Sequence, residues 1–430
     1  MKHTYYIWTI GCQMNHADSR HLAAQMEERG YQPAEAAHLA DLIILNTCVI
    51  RQQAEDKALD QLRQLKGLKR SRPDLVVAVM GCMVGKKLEA ALREHYPFVD
   101  VFMGPSETEP LMEFLGGSDL PDAPGSGCGR ALPPSAQGRT FTAFVPVVLG
   151  CSHACTYCVI PSRRGGERSR PKSDILNEVR ELAREGVKEI TLLGQIVDRY
   201  GTDFDDGTHL AHLLKEAAAI EGVARVRFLT SHPNWFTDEL LETVATTDKI
   251  CPCIEIPVQA GNDEVLARMR RGYTAEQYRR LVAKIRARIP HVAINTDIIV
   301  GFPGETEAGF MDTYRLMEEL QFDMAHIARY SVRPGTPAAR NLEDDVPEEE
   351  KERRRVALEA LLNESLEKKH AALAGTTVEL LVEGKSGRRW LGRTPQNKVV
   401  LIEDAQDLGG RIVQATITRT GAFSQYGEIK

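Results

Sequence analysis

The chain is 430 residues long, 43% hydrophobic and 27% charged, ordinary values for a soluble globular protein and enough chain for two or three domains. Its formal net charge of −6 excludes a globally basic nucleic-acid binder, so any such role must rest on local patches. No apolar run approaches the roughly 18 residues that span a bilayer, no signal segment opens the chain, and nine cysteines, an odd count, point to metal binding or chemistry in a reducing, cytoplasmic compartment rather than to disulfides.

Over residues 1–115 short apolar runs alternate with helix-like stretches. Strands are expected at 5–10, 42–45, 75–80 and 99–102, and helices near 18–30, 52–68 and 86–94. That alternation argues for a doubly wound parallel sheet. Cys12, Cys48 and Cys82 each fall at or just past the end of one of the first three strands, in GCQMN, NTCVI and GCMVG. All strand C-termini of an open parallel sheet face one edge, where ligands bind. Three cysteines distant in sequence are therefore expected to converge as a three-thiolate set. Three buried structural cysteines are the alternative, since Cys is among the most buried residue types; the threefold coincidence of position argues against it. Residues 116–140, rich in Gly, Pro and Ser, read as a linker, with Cys128 as a surface thiol that has no metal spacing around it.

From 142 the alternation resumes. Strands are expected at 142–149, 189–193, 226–229, 254–258, 293–300 and 324–330, and helices at 173–185, 210–220, 237–245, 275–289 and 306–320. Six strands are too few for the eight-stranded barrel and suit an open partial (β/α)6 barrel over residues 141–372. In such barrels the chemistry sits at the C-terminal ends of the strands. The stretch GCSHACTYCVIPSRRGGERSR, residues 150–170, lies at the end of the first of them. Its Cys151, Cys155 and Cys158 form a C-x3-C-x2-C run, a spacing that can hold three irons of a [4Fe–4S] cube and leave the fourth open. A closed tetrahedral zinc site would need a fourth ligand, for example His153. The clustered Arg163, Arg164, Arg168, Arg170 and Lys172 can meet a carboxylate or an RNA phosphate, or form a solvated basic loop.

His232, in TSHP at a strand end, is either a substrate contact or a hydrogen-bonded structural histidine. Cys251 and Cys253 (CPC) alternate along a strand start, point to one face, and read as structural. Residues 347–372 carry Glu and Lys/Arg at i,i+4 spacing and read as a solvated connecting helix. From 376 the pattern changes to short β-rich runs (377–382, 389–392, 398–402, 411–419), which suggests a small β-barrel over 373–430. Eight Lys/Arg against six Asp/Glu in that segment suggest nucleic-acid binding.

The C-x3-C-x2-C run, with Tyr157 before its third cysteine, resembles the signature of the radical S-adenosylmethionine (radical SAM) superfamily, in which the open iron chelates the amino and carboxylate groups of SAM. The resemblance implies that Gly166 and Glu167 of the GGE stretch meet the methionyl amine, with Tyr157, Gln195 and Asp297 as further SAM contacts. LLGQ (192–195), TSHP (230–233), PVQAG (257–261), MRRGYT (269–274), TDIIVGFPGET (296–306) and YSVRPGTP (330–337), together with GCQMN, NTC and MGC, extend the resemblance along the whole chain to the methylthiotransferase family. A cluster-binding N-terminal domain, a radical SAM partial barrel and a TRAM barrel occur there in this order. Ile196 and Val332 stand where Asn and Pro are expected.

Within the family, GCQMN and TSHP resemble the branch that methylthiolates isopentenyl-adenosine beside the anticodon of tRNA. The branch acting on a ribosomal-protein aspartate would have Pro and Lys at the positions of Gln13 and Met14. The resemblance implies two [4Fe–4S] clusters, one on Cys151, Cys155 and Cys158 that cleaves SAM to a radical and one on Cys12, Cys48 and Cys82 that carries sulfur, with a second SAM as methyl donor; the cofactors carry the hard steps. It also implies a tRNA anticodon stem-loop as partner, a one-electron donor such as flavodoxin or ferredoxin, no membrane and a monomer. Gln13, Asn15, Arg164 and His232, and on the terminal barrel Arg388, Arg389 and Arg393, are the candidate substrate or tRNA contacts. The alternatives are the same chemistry on threonylcarbamoyl-adenosine or on the ribosomal-protein aspartate, against which GCQMN argues, and a non-catalytic zinc-binding RNA module, for which the GGE and TDIIVGFPGET stretches make little sense.

Overall fold

The computed structural model describes residues 3–50, 52–85, 88–116 and 130–430. Cys128, most of the expected linker, and Lys86 and Lys87 at the start of an expected helix lie outside the described residues. The chain divides into two compact units, one of Met1–Gly138, Ala143–His153 and Cys158–Glu185, the other of Arg139–Thr142, Ala154–Tyr157 and Gly186–Lys430.

In the first unit, β1 (Thr4–Thr9), β2 (Leu42–Thr47), β3 (Val76–Gly81) and β4 (Val101–Met103) lie side by side, all parallel, with a two-residue edge strand, Gln32–Pro33, beside β1. Four helices alternate with them: α1 (Gln13–Glu28), α2 (Gln52–Ser71), α3 (Glu89–His95) and α4 (Glu109–Phe114). β2 reads LIILNT and is buried at every position because helices cover both faces of the sheet. Ile43 and Leu45 pack with Leu62 and Leu65 of α2. Leu42 and Ile44 point the other way, into a core with Leu22 and Met26 of α1 and Leu111 and Met112 of α4. The period of two thus feeds two cores, and each fully buried aliphatic side chain contributes about 1.5–3 kcal/mol. Only α4 and the edge strand lack a sequence signal, being too short to display a period.

Past the undescribed stretch, Arg130 and Ser135 donate their backbone N–H groups to Glu28 and Glu27 of α1 at 2.8 Å, and Leu132 is buried. Further along, Glu178, buried on α5 (Lys172–Arg184), accepts from Arg20, His21 and Arg170 at 2.5, 2.8 and 2.8 Å. Against the opposing effect of burial, the hydrogen bonds and charge of these partners hold its carboxyl well below the usual range. Arg170 of the basic loop is therefore an internal tie.

β5 (Thr142–Pro146) is preceded by Phe141, whose carbonyl accepts from the N–H groups of Lys188 and Glu189 at 2.8 and 3.1 Å. Within the second unit β6 (Glu189–Leu193) and β7 (Arg225–Leu229) pair in parallel, as do β8 (Cys253–Glu255), β9 (Ala293–Val300) and β10 (Met324–Arg329). A parallel bridge from Val226 to Ile250 links the two groups. The helices are α6 (Leu210–Ala218), α7 (Asp238–Thr246), α8 (Ala275–Arg288) and α9 (Glu307–Leu320). Thr237, Thr274 and Thr306 cap the last three through their side chains, Thr274 in a capping box with Gln277. This is the expected partial barrel.

The helix after β10 departs from expectation. α10 (Glu348–Ala371) buries Lys351, Arg354, Leu358, Leu362 and Leu366, one stripe at i,i+3 and i,i+4, against β10 and α9. It is a packed wall rather than a solvated connector. Charged residues disguise the stripe because two of its members are cations with internal partners. Arg354 donates to Glu305 at 2.8 Å, and Glu305 also accepts from the N–H of Gly301 at 2.6 Å. The GFPGE turn at the end of β9 is thereby clamped by α10.

The terminal barrel is closed, with β11 (Thr377–Ser386), β12 (Arg389–Arg393), β13 (Val399–Ile402), β14 (Ile412–Thr420) and β15 (Gln425–Ile429) in the order β11-β12-β13-β15-β14. Leu380, Val382, Trp390, Val400, Ile402, Ala415 and Ile417 fill it. β15 is not among the expected runs; with polar residues and a glycine in QYGEI its strand character comes from closure. The barrel meets the N-terminal strand ends through a buried polar knot. Arg227 donates to Glu189 at 2.7 Å and to the carbonyls of Thr394 and Pro395 at 2.8 and 2.7 Å. Arg225 donates to the Arg393 carbonyl and to Glu379 at 2.7 and 2.8 Å.

Candidate functional site

Cys12 follows β1, Cys48 follows β2 and Cys82 follows β3, all on the C-terminal edge of the first sheet. Burial lifts the Cys48 thiol to about 11, with smaller upward contributions from Cys82 and Cys12 beside it. Burial raises Cys82 as well. Thiols kept neutral by burial, as at Cys48 and Cys82, are released as thiolates when a metal supplies the compensating charge, and the three sulfur donors fit a three-thiolate cluster site.

A polar knot holds the loops. Asn15 donates to the Asn46 Oδ1 and the Thr47 carbonyl at 2.7 and 2.9 Å, and Asn46 returns a bond to the Asn15 carbonyl at 2.9 Å. Thr47 donates to the Met80 carbonyl at 2.6 Å and accepts from the Met83 N–H at 3.3 Å. Gly11 sits at φ +143°, and a Cβ there would lie 2.7 Å from the Cys48 Cβ; Gly81 sits at φ +97°, and a Cβ there would lie 2.7 Å from Asn46 Oδ1. Both positions demand glycine.

Two expected substrate contacts, Asn15 and Arg164, have buried side chains. Asn15 is 0% exposed and is spent on the knot. Arg164 has its side chain only 3% exposed, 3.6 Å from Asp18 and 3.5 Å from Asn15, within electrostatic reach of Cys82. Gln13 is exposed at the start of α1. Asn46 and Thr47 stood in the NTC motif without a role, and nothing in the sequence pointed to Asp18.

In the same unit, the lead loop folds against the GGE stretch. The Cys151 N–H donates to the Gly165 carbonyl at 3.1 Å and the Glu167 N–H to Ser152 Oγ at 3.0 Å. Gly150, at φ +70°, lies so close to the Gly166 carbonyl that any Cβ would overlap it. Cys151 is buried, Cys158 half-buried, Gly166 exposed and Glu167 half-buried.

Within the second unit, Arg271 donates to Cys155 Sγ at 3.2 Å and to the Pro257 carbonyl at 3.2 Å, with its Nε on the Tyr273 hydroxyl at 3.0 Å. Tyr273 donates to the Val258 carbonyl at 2.8 Å. Thr156 donates to the Arg268 carbonyl at 2.8 Å. PVQAG and MRRGYT are thus folded around Cys155, and a guanidinium beside a thiol favours the thiolate. Nothing within MRRGYT itself distinguishes Arg271 from its neighbour Arg270; only the fold does.

Tyr157 meets Phe302 edge-on at 6.4 Å. Gln195 lies just past β6 and Asp297 on β9, both half-buried, and the Asp297 carbonyl accepts from the Gln259 N–H at 2.9 Å. His232 is 1% exposed, accepts at Nδ1 from the Asn234 N–H at 3.2 Å and lies 4.5 Å from the Trp235 ring. Asp198, missed by sequence reading, accepts from Ser231 Oγ and the His232 N–H, both at 2.8 Å; burial lifts its carboxyl to about 7. Ile196 is buried and Val332 exposed.

Cys251 and Cys253 lie at the opposite, N-terminal strand ends. Burial lifts their thiols to about 12 and about 11 against the charge of nearby Arg227. In apo-protein at pH 8 both should be alkylated far more slowly than the half-buried Cys12 and Cys158. Mass spectrometry of timed iodoacetamide reactions checks this, and equal rates would contradict it.

On the barrel, Arg388 is exposed. Arg389 pairs with Glu403 at 2.7 Å and lies 5.3 Å over the Tyr426 ring, whose neighbour Arg419 lies 3.8 Å over the same ring. Arg393 is taken up by Glu383 at 3.1 Å and is less available than expected.

Three sequence-family profiles match the chain: the Radical SAM superfamily over residues 145–317, the Uncharacterized protein family UPF0004 over 4–104 and the TRAM domain over 372–430. Among curated relatives, the tRNA-2-methylthio-N(6)-dimethylallyladenosine synthases of Roseiflexus sp. (strain RS-1) and Chloroflexus aurantiacus are each 45% identical over 428 residues. These alignments cover 98% of this chain and 89% and 91% of theirs. The enzyme of that name from Moorella thermoacetica is 41% identical over 436 residues, 99% of this chain and 98% of its own. Among solved structures, the radical S-adenosylmethionine methyltransferase TsrM of Kitasatospora setae shares the fold at TM-score 0.56 and 16% identity, over 79% of this chain and 75% of its own.

Proposed function

This chain belongs to the family of radical SAM tRNA methylthiotransferases, and from that premise we propose that it adds a methylthio group to carbon 2 of isopentenyl-adenosine beside the anticodon. Near-full-length identity to synthases of that name carries the substrate. The three thiols gathered at one sheet edge carry the chemistry. A [4Fe–4S] cluster on Cys151, Cys155 and Cys158 would supply one-electron cleavage of SAM, and a second on Cys12, Cys48 and Cys82 the sulfur, which a second SAM methylates.

The chain's own residues prepare these steps. Gly166, lacking a side chain, leaves room for the methionyl end of SAM, and Glu167 offers its carboxylate to the ammonium. Arg271 orients Cys155 and supplies positive charge beside it. The Asn15–Asn46 pair keeps the Cys12 and Cys48 loops in one geometry. On the barrel, Arg388, Arg389 and Arg419, the last two on Tyr426, suit phosphates and a stacked base. A flavodoxin or ferredoxin as electron donor, a monomeric chain and a cytoplasmic location complete the reading; no described helix is long and apolar enough to cross a membrane.

Reconstituted protein given SAM, a reductant and tRNA bearing isopentenyl-adenosine should yield the 2-methylthio nucleoside by mass spectrometry. Modification of threonylcarbamoyl-adenosine or of a ribosomal-protein aspartate instead would overturn the substrate. A colourless protein with zinc and no acid-labile sulfide would overturn the chemistry. Replacing Arg389 and Arg419 by Ala should lower the slope of log affinity for tRNA against log salt by about one for each phosphate no longer neutralised; an unchanged slope removes them from the interface.

A further inference from the structure

We propose that Arg164 is a positioning residue of the N-terminal thiol set, its buried guanidinium offsetting the negative charge that a cluster on Cys12, Cys48 and Cys82 would carry. This rests on the two-cluster reading above and goes beyond it, since that reading needs only the six cysteines.

The observations are geometric. Arg164 lies six positions after Cys158, at the end of the short helix Ile160–Arg164. That helix is anchored beside the N-terminal thiols: Val159, its N-cap, packs in one core with Cys82, Met83 and Val84. The Arg164 guanidinium lies within electrostatic reach of Cys82 and shares Asn15 Oδ1 with the Cys12 thiol, at 3.5 and 3.4 Å respectively. Asp18 is the carboxylate paired with it, at 3.6 Å, too long for a hydrogen bond, and both side chains are 3% exposed. Its Nε has no hydrogen-bond partner among the described residues, nor has Asp18 Oδ2, while Asp18 Oδ1 is taken by Ser106 at 2.7 Å.

A buried guanidinium so loosely paired is costly as it stands. A [4Fe–4S] core with three thiolates is anionic and becomes more so on reduction, and would add to the counter-charge that Asp18 supplies from 3.6 Å. A planar fork of five donors also suits several acceptors at once better than an ammonium does. Charge and hydrogen bonds to cluster sulfur are the levers that set a cluster's potential. Arg164 should therefore stabilise the reduced state and hold the cluster's sulfurs in place.

The test uses the full chain with Cys151, Cys155 and Cys158 all changed to Ala, so that only the N-terminal cluster is present, followed by potentiometric EPR titration. Adding Arg164→Met should shift the midpoint negative by at least a tenfold change in the reduced-to-oxidised ratio, about 59 mV for one electron. Full iron with an unshifted midpoint overturns the role of Arg164 and leaves the cluster. No iron in the variant that keeps Arg164 overturns the two-cluster reading and this proposal together. If Arg164→Met folds but loses iron, Arg164→Lys decides. Iron restored with a midpoint close to that of the Arg164 protein supports the charge role, and iron lost alike overturns it.

Discussion

Cys48→Ala should still cleave SAM but insert no sulfur, whereas Cys151→Ala should do neither. The asymmetry follows from where the two thiols sit. Cys48 follows β2 of the first sheet, two residues past the Asn15–Asn46 knot, and its loss removes no atom of the loop that folds on GGE. Cys151 is held by the Gly165 carbonyl in that loop, and its loss removes a ligand where SAM must bind. Replacing a buried thiol by Ala costs about 1 kcal/mol of packing, small beside the ~5–15 kcal/mol of a folded domain, so both variants should remain folded. Loss of outer partners of metal sites alone costs about 10–100-fold, so loss of a ligand should lower methylthio product by more than about 100-fold. Wild type reconstituted with iron and sulfide should hold about eight irons, and the Cys151/Cys155/Cys158 triple-alanine variant about four. Methylthio product from Cys48→Ala would remove the N-terminal set as sulfur donor; four irons falling to none would make those thiols structural.

Arg227→Met should destabilise the second unit by about 3–5 kcal/mol, the cost typical of breaking a buried ion pair from one side. Arg227 and Glu189 are 4% and 5% exposed and 2.7 Å apart, and the same guanidinium satisfies two carbonyls of the terminal barrel. Removing it strands all three acceptors. Arg225 cannot take over: it is 3.8 Å from Glu189 and already serves the Arg393 carbonyl and Glu379. Urea denaturation should give the loss, and hydrogen exchange should show it as faster exchange across β11 and β12. A loss below about 1 kcal/mol, the value of an exposed pair, would mean that apolar contacts hold the barrel. The double change Arg227→Met with Glu189→Leu should recover much of the stability, because an apolar pair of similar volume replaces the ion pair without leaving a buried charge.

Each unit is read by its own strand ends: in the first, Cys12, Cys48 and Cys82 follow the C-terminal ends of β1, β2 and β3, and in the second the N-terminal ends of β6 and β7 meet the terminal barrel. These placements settle residues that composition and spacing left open. CPC, at Cys251 and Cys253, belongs to the barrel end, beside Arg227. Arg354 and Lys351 look like surface charges of a solvated helix, but they clamp Glu305 and Asp344 beneath α10.

What the sequence determined by itself was what short-range pattern encodes. Strand and helix alternation, the positions of Cys12, Cys48 and Cys82 at strand ends and the spacing C-x3-C-x2-C all lie within windows of a few residues, where backbone geometry makes periodicity and spacing informative. What only the tertiary structure decided was the environment of each polar side chain. Arg164 and Asn15 meet across 149 residues of chain, and Arg227 and the carbonyl of Thr394 across 167. An arginine in a basic loop and an arginine buried against a thiol set are identical in sequence. Their difference is one of desolvation and partners, and these exist only once distant segments have packed together.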